Sequence, residues 1–165
     1  MFFIDKWILP LILLSLISGC ATEHKKHILT LDFMKELETI AETKKTEEGI
    51  IVTLKEKILF DFNKFELKSE AIPLLIKLSK ILEKSPNAYM TIEGYTDNIG
   101  TTRDNAFISK KRAETVEHFL INNGVASKRM KAKGLGQINP VSDNSTPEGR
   151  SNNRRVELHI YPDEQ

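Results

Sequence analysis

Residues 89–123 read YMTIEGYTDNIGTTRDNAFISKKRAETVEHFLINN, and the change of period inside this stretch decides the fold. Tyr89 to Gly94 alternates apolar and polar residues, as a half-buried strand does. Thr96 to Gly100 gathers Thr, Asp, Asn and Gly, the residues of a turn. From about Thr102 to Asn123 the period becomes helical. The expected buried stripe is Ala106, Ala113, Val116, Phe119 and Leu120, and Asn123-Gly124 supplies a C-terminal stop.

Working outward, Ile50 to Leu54 (IIVTL) is β-branched and strand-like, and Ile58-Leu59-Phe60 is a second short apolar run. Ser69 is a good N-cap and Pro73 falls in the first turn of a helix. Ile72, Leu75, Ile76, Ser79 and Leu82 carry that helix until Ser85-Pro86-Asn87 ends it. Downstream, Met130 to Leu135 reads as a strand, residues 134–150 as loop, and Arg155 to Tyr161 as a strongly alternating strand. The order is strand, helix, strand, helix, strand, loop, strand. It predicts an α+β domain over 50–162: a small mixed β-sheet with helices packed on one face.

The 165 residues suit one domain with short additions. Net charge is +1, from 24 basic and 23 acidic residues, which argues against a nucleic-acid partner. Cys20 is the single cysteine, so no intramolecular disulfide and no thiolate metal site can form. His24, His27, His118 and His159 are scattered, and no nucleophile–base motif is present. A binding protein is expected rather than an enzyme, and no cofactor. An enzyme is the alternative from another class.

Residues 7–17 (WILPLILLSLI) are too short for a comfortable span, which needs roughly 20 apolar residues, and fit a signal-peptide core. The core ends in Leu16-Ile17-Ser18-Gly19-Cys20, which resembles the lipobox of bacterial lipoproteins. The resemblance implies a signal peptide over 1–19, cut before Cys20. It also implies a diacylglycerol on the Cys20 thiol and an acyl chain on its freed amine. Several chains together anchor firmly, since each buried methylene adds roughly 0.8 kcal/mol. Residues 20–49 are then the lipidated cysteine and a polar tether. Ile28, Leu31, Leu37 and Ile40 hint at a short amphipathic helix within it. Fully extended, the tether reaches on the order of 100 Å at ~3.3 Å per residue.

Asn105, Ser109 and Arg112 are spaced by four and three residues and share one stripe of the long helix, with the apolar stripe expected on the opposite side. Asp97 lies in the turn just before. An acid and a guanidinium are thus available to one ligand, although Asp97 is equally placed for a plain Asx-turn and Arg112 for a surface position.

The motif set then becomes specific. Gly94-Tyr95-Thr96-Asp97-Asn98-Ile99-Gly100, Asn105, Ser109 and Arg112-Ala113 resemble the G-H-T-D-x-x-G and N-x-x-L-S-x-x-R-A segments of the OmpA-like family. Phe60-Asp61-Phe62-Asn63 resembles its early F-D-x-N. Gly134-Leu135-Gly136 with Asn139-Pro140, and Asn144 through Asn153-Arg154-Arg155-Val156-Glu157, resemble its closing segments. Tyr95 departs from the usual His and Ile108 from Leu. The resemblance implies recognition of peptidoglycan through meso-diaminopimelate, whose free end carries an ammonium and a carboxylate. Asp97 would accept from the ammonium and Arg112 would fork onto the carboxylate. Asn63, Asn105 and Arg155 would line the groove. It also implies a place on the periplasmic face of the cell outer membrane, with Tol–Pal or another envelope complex as partner.

Overall fold

A computed structural model describes residues 29–61 and 63–162. The signal segment, Cys20, Ile28 and Phe62 lie outside the described residues. The described chain forms α1 (Leu31–Glu38), β1 (Glu42–Lys45), β2 (Ile50–Lys55), α2 (Glu56–Leu59), α3 (Ile72–Glu83), β3 (Ala88–Tyr95), α4 (Thr102–Asn122), β4 (Met130–Gly136), α5 (Pro147–Asn153) and β5 (Arg155–Pro162). Short 3-10 turns at Ser69–Ala71 and Ser127–Arg129 lead into α3 and β4.

The five strands form one mixed sheet in the order β1-β2-β5-β3-β4. β5 runs antiparallel between β2 and β3, while β4 pairs parallel with β3. The parallel pair needs a crossover, and α4 provides it by lying over both strands. In β2, Ile50, Val52 and Leu54 are buried, and Ile51, Thr53 and Lys55 on the other face are half-buried. The buried row meets Met90, Ile92, Leu158 and Ile160 from the sheet and Leu75, Leu78, Leu82, Val116 and Leu120 from the helices. This is the expected α+β arrangement of a small mixed sheet under helices.

Three local expectations differ from the structure. The folded body begins before residue 50: α1 buries Phe33 and Leu37, and β1 pairs with β2 through Lys45↔Ile50 to Glu42↔Thr53. Thr30 caps α1 by accepting from the Phe33 N–H. Leu31 is exposed, so the buried pair is Phe33 with Leu37, one turn apart. Residues 147–153 form α5, whose first four residues fall in the stretch expected as loop, with Pro147 in its first turn and Thr146 as its cap. Ser69 opens a 3-10 turn and caps no helix with its side chain.

α4 presses unusually close to the sheet. Gly94 of β3 and Gly134 of β4 are register partners beneath it. A Cβ on Gly94 would fall 2.0 Å from the Ser109 carbonyl oxygen, and one on Gly134 2.4 Å from the Lys110 nitrogen. The two glycines form a slot that only a bare backbone can offer.

Candidate functional site

The ends of three strands meet at one edge of the fold. The register Lys55↔Arg155 and Tyr95↔Arg155 places the C-terminal ends of β2 and β3 beside the N-terminal end of β5. The residues one or two positions beyond are therefore neighbours: Glu56, Asp97 and Arg154. The Glu56 N–H donates to the Arg154 carbonyl at 3.1 Å, which fixes the first two. α4 brings Arg112 over them.

The four side chains form an alternating chain of charge. Arg154 donates from Nη1 to Asp97 Oδ2 at 2.7 Å and from Nε to Glu56 Oε2. Arg112 donates from Nη2 to Glu56 Oε1 and from Nε to the Lys64 carbonyl at 2.9 Å. Its guanidinium also lies 5.4 Å over the Phe60 ring. Asp97 Oδ1 accepts the Ile99 N–H at 3.0 Å, so the Asx-turn is real and leaves the second oxygen for Arg154. Glu56 and Arg112 are 6 % and 3 % exposed, and a lone charge at that depth would be costly; here each is paired. Burial pulls Arg112 below the usual guanidinium range, with Glu56 opposing. For Arg154, burial works against the charge, but hydrogen bonds to Asp97 and Glu56 outweigh it and hold the group above its ordinary value.

These residues floor a hollow of about 640 Å³. Its walls include Asn63, Phe65, Thr96, Ile99, Asp104, Asn105, Phe107, Ile108 and Arg150. Phe107 and Ile99 stand at the rim, more than half exposed, and Phe65 meets Phe107 edge-on at 6.5 Å between centroids. Apolar side chains around a few convergent polar groups are the usual lining of a small-ligand site.

Of the expected site residues, Asp97, Arg112, Asn63 and Asn105 all line this hollow. Asn63 sits in a turn with φ 57, a conformation Asn tolerates well. Asn105 donates to the Asp97 carbonyl at 3.3 Å and to Gln137 at 3.1 Å, so it pins the turn to the helix. Ser109 accepts the Gly136 N–H at 2.9 Å and ties α4 to β4. Asn105, Ser109 and Arg112 share their buried face with Ala113, Val116 and Leu120, so polar and apolar stripes run end to end on one side of α4 rather than on opposite sides. Ala106, expected in the apolar stripe, is exposed.

Arg155 does not join the hollow's lining. It points to the other side of the sheet, stacks 3.8 Å over Tyr95 and donates to Glu157 at 2.7 Å. Strand alternation requires adjacent arginines to part company, and it is Arg154 that faces the site. Arg154 and Glu56 were both missed. Arg154 carried a signal, since one of two consecutive arginines had to face the site. Glu56, within Lys55-Glu56-Lys57, carries no local mark of burial.

A profile of the OmpA family matches residues 59–154. The chain belongs to the OmpA family. Motility protein B of Bacillus subtilis is 40 % identical over 133 residues, which cover 78 % of this chain and 51 % of that protein. Probable lipoprotein YiaD of Escherichia coli is 35 % identical over 115 residues, covering 70 % and 52 %. The chain thus spans about half the length of both. The crystal structure of the peptidoglycan-associated lipoprotein from Burkholderia pseudomallei superposes with a TM-score of 0.58 at 31 % identity, over 62 % of this chain and 87 % of that one. Within this OmpA-family chain, Tyr95 replaces the usual His without entering the hollow's lining: it is buried under Arg155 and donates to Glu93 at 2.7 Å.

Proposed function

We propose that this protein holds the bacterial envelope together by binding peptidoglycan non-covalently through the zwitterionic end of diaminopimelate. The observation that carries the reading is the convergence of Asp97, Arg112 and Arg154 on one hollow, with acid and base side by side. Asp97 would take the ammonium. Each arginine is already engaged through Nε and one terminal nitrogen, and among the described residues Nη1 of Arg112 and Nη2 of Arg154 have no partner, so the two would share the carboxylate rather than leaving Arg112 to fork alone. Likeness to a peptidoglycan-associated lipoprotein supports the ligand class.

The anchor is the acylated Cys20, with the domain in the periplasm beneath the outer membrane. The lipobox-like sequence supports it, as does the likeness to a probable lipoprotein. Tol–Pal or another envelope complex is the expected partner. A second reading starts from the same apolar run, residues 7–17: the segment stays uncut and is itself the anchor. The intact mass of the membrane-extracted chain separates the two. A chain starting at an acylated Cys20 supports the first reading, and one starting at Met1 the second.

Binding is tested by co-sedimentation with insoluble peptidoglycan. Charge-assisted hydrogen bonds contribute roughly 1.5–3 kcal/mol each. Asp97→Ala and Arg154→Ala should therefore each raise Kd by about tenfold or more. Soluble fragments released by the parent protein would point to an enzyme instead. Both variants pelleting as the parent does would sink the assignment.

A further inference from the structure

The charged groups lining the hollow cancel: Glu56, Asp97 and Asp104 against Arg112, Arg150 and Arg154. Glu56 is the member that makes the sum zero at the floor. Each of its two carboxylate oxygens accepts from a different arginine, and Arg154 continues the chain to Asp97. Without Glu56, two guanidinium groups would face the hollow against the single carboxylate of Asp97 at the floor.

A cavity of zero net charge with separated poles favours a ligand of the same kind. A zwitterion brings both signs and meets both. A dianion satisfies the arginines but sets an unmatched charge against Asp97 and Glu56, where low polarity makes repulsion felt. Resting on the reading that the hollow takes the zwitterionic end of a wall peptide, we propose that Glu56 determines specificity by charge: it makes the hollow select zwitterions over plain carboxylates. Glu56 need not touch the ligand; it offsets the charge of the arginines that do.

The test uses a matched pair of competitors. Meso-diaminopimelate and pimelate share one carbon chain and two carboxylates, and differ only in the amines. Each is titrated against the full-length chain, in detergent, bound to insoluble peptidoglycan. The parent should be displaced by diaminopimelate at concentrations far below those of pimelate. Losing one unit charge a few ångströms away should shrink that ratio by about tenfold in Glu56→Gln. Comparing ratios cancels whatever the amines contribute directly, as in a double-mutant cycle. Binding by Glu56→Gln should also weaken with added sulfate more than the parent's does.

Removing one partner from a buried ion pair often unfolds a protein, so melting curves accompany the titration. If Glu56→Gln is unfolded, Arg154→Gln decides the matter from the other side. It leaves the hollow net negative, and its preference for diaminopimelate must widen. A folded Glu56→Gln with the parent's ratio overturns the proposal, as does an unchanged ratio in Arg154→Gln. A parent that free diaminopimelate does not displace overturns the wall-peptide reading itself. That failure shows in the parent alone, whereas failure of the charge argument shows only in the variants.

Discussion

Gly94→Ala should lower stability and wall binding together, because Gly94 sets the height of α4 above the sheet. The new methyl would lie 2.0 Å from the Ser109 carbonyl oxygen, where ordinary contact begins at 3.4 Å. The obstacle is helix backbone, which cannot swing aside. α4 must lift by about 1 Å or more at Ser109 to reach even the tightest tolerated contact. Overpacking of this kind costs about 1–3 kcal/mol. Lifting Val116 and Leu120 also loosens the core beneath them, so the upper end of that range, ~3 kcal/mol, is expected. For a folded body of this size that lowers Tm by roughly 12 °C. The same lift separates Asn105 from the Asp97 carbonyl, a hydrogen bond already at 3.3 Å, and carries Arg112 away from Glu56. Thermal unfolding followed by circular dichroism gives the first effect, and peptidoglycan co-sedimentation well below Tm gives the second. Gly134→Ala should behave alike. The double variant should cost less than the sum, since one lift serves both methyl groups. A Gly94→Ala protein melting within about 2 °C of the parent would refute the slot.

Two further outcomes follow from other parts of the fold. Arg129 is buried and donates to the carbonyls of Ala88, Leu82 and Ser85 at 2.7, 3.1 and 2.7 Å, closing the C-terminal end of α3; Arg129→Met should cost about 3 kcal/mol, read as a lower urea midpoint at unchanged m-value. On the outer face of the sheet, His159 is raised above its ordinary 6.5, first by its hydrogen bond to Glu157, against burial, and then by the charge of Glu93. Its contribution is complete below pH 6.5 and is lost as pH rises through the raised value. Glu157 lies below its ordinary 4.5: burial opposes the shift, and hydrogen bonds from His159 and Arg155 outweigh it. Its contribution is present above pH 4.5 and is lost as pH falls through the lowered value. Stability should peak between these limits, and His159→Gln should flatten the decline on the alkaline side, as measured by melting temperature against pH.

The core strands and both long helices were legible because their apolar residues keep strict periods, as in Ile50-Val52-Leu54 and Val116-Leu120. Residues 31–45 were not, because a Lys- and Glu-rich background hides a helix that buries only Phe33 and Leu37. α5 was hidden for a different reason. Its Pro, Gly, Ser and Asn favour loops, and tertiary bonds override that preference: Asn153, fully buried, accepts from the Val141 and Ser142 N–H groups and donates to Ser142 and Asn144. In the site, Asp97 and Arg112 could be read from motif and spacing. Glu56 could not, since nothing local marks an acid between two lysines as buried. Only the register of β2 against β5 brings it to Arg154.

The outermost strands of the sheet, β1 and β4, each leave one row of backbone groups without a strand neighbour among the described residues. Such rows invite another chain to add itself. Both are studded with exposed lysines, Lys44 and Lys45 on one side and Lys131 and Lys133 on the other. Two copies approaching border to border would bring like charges together before any ladder could form. Crowded copies of this domain are thereby kept from zipping into continuous ribbons.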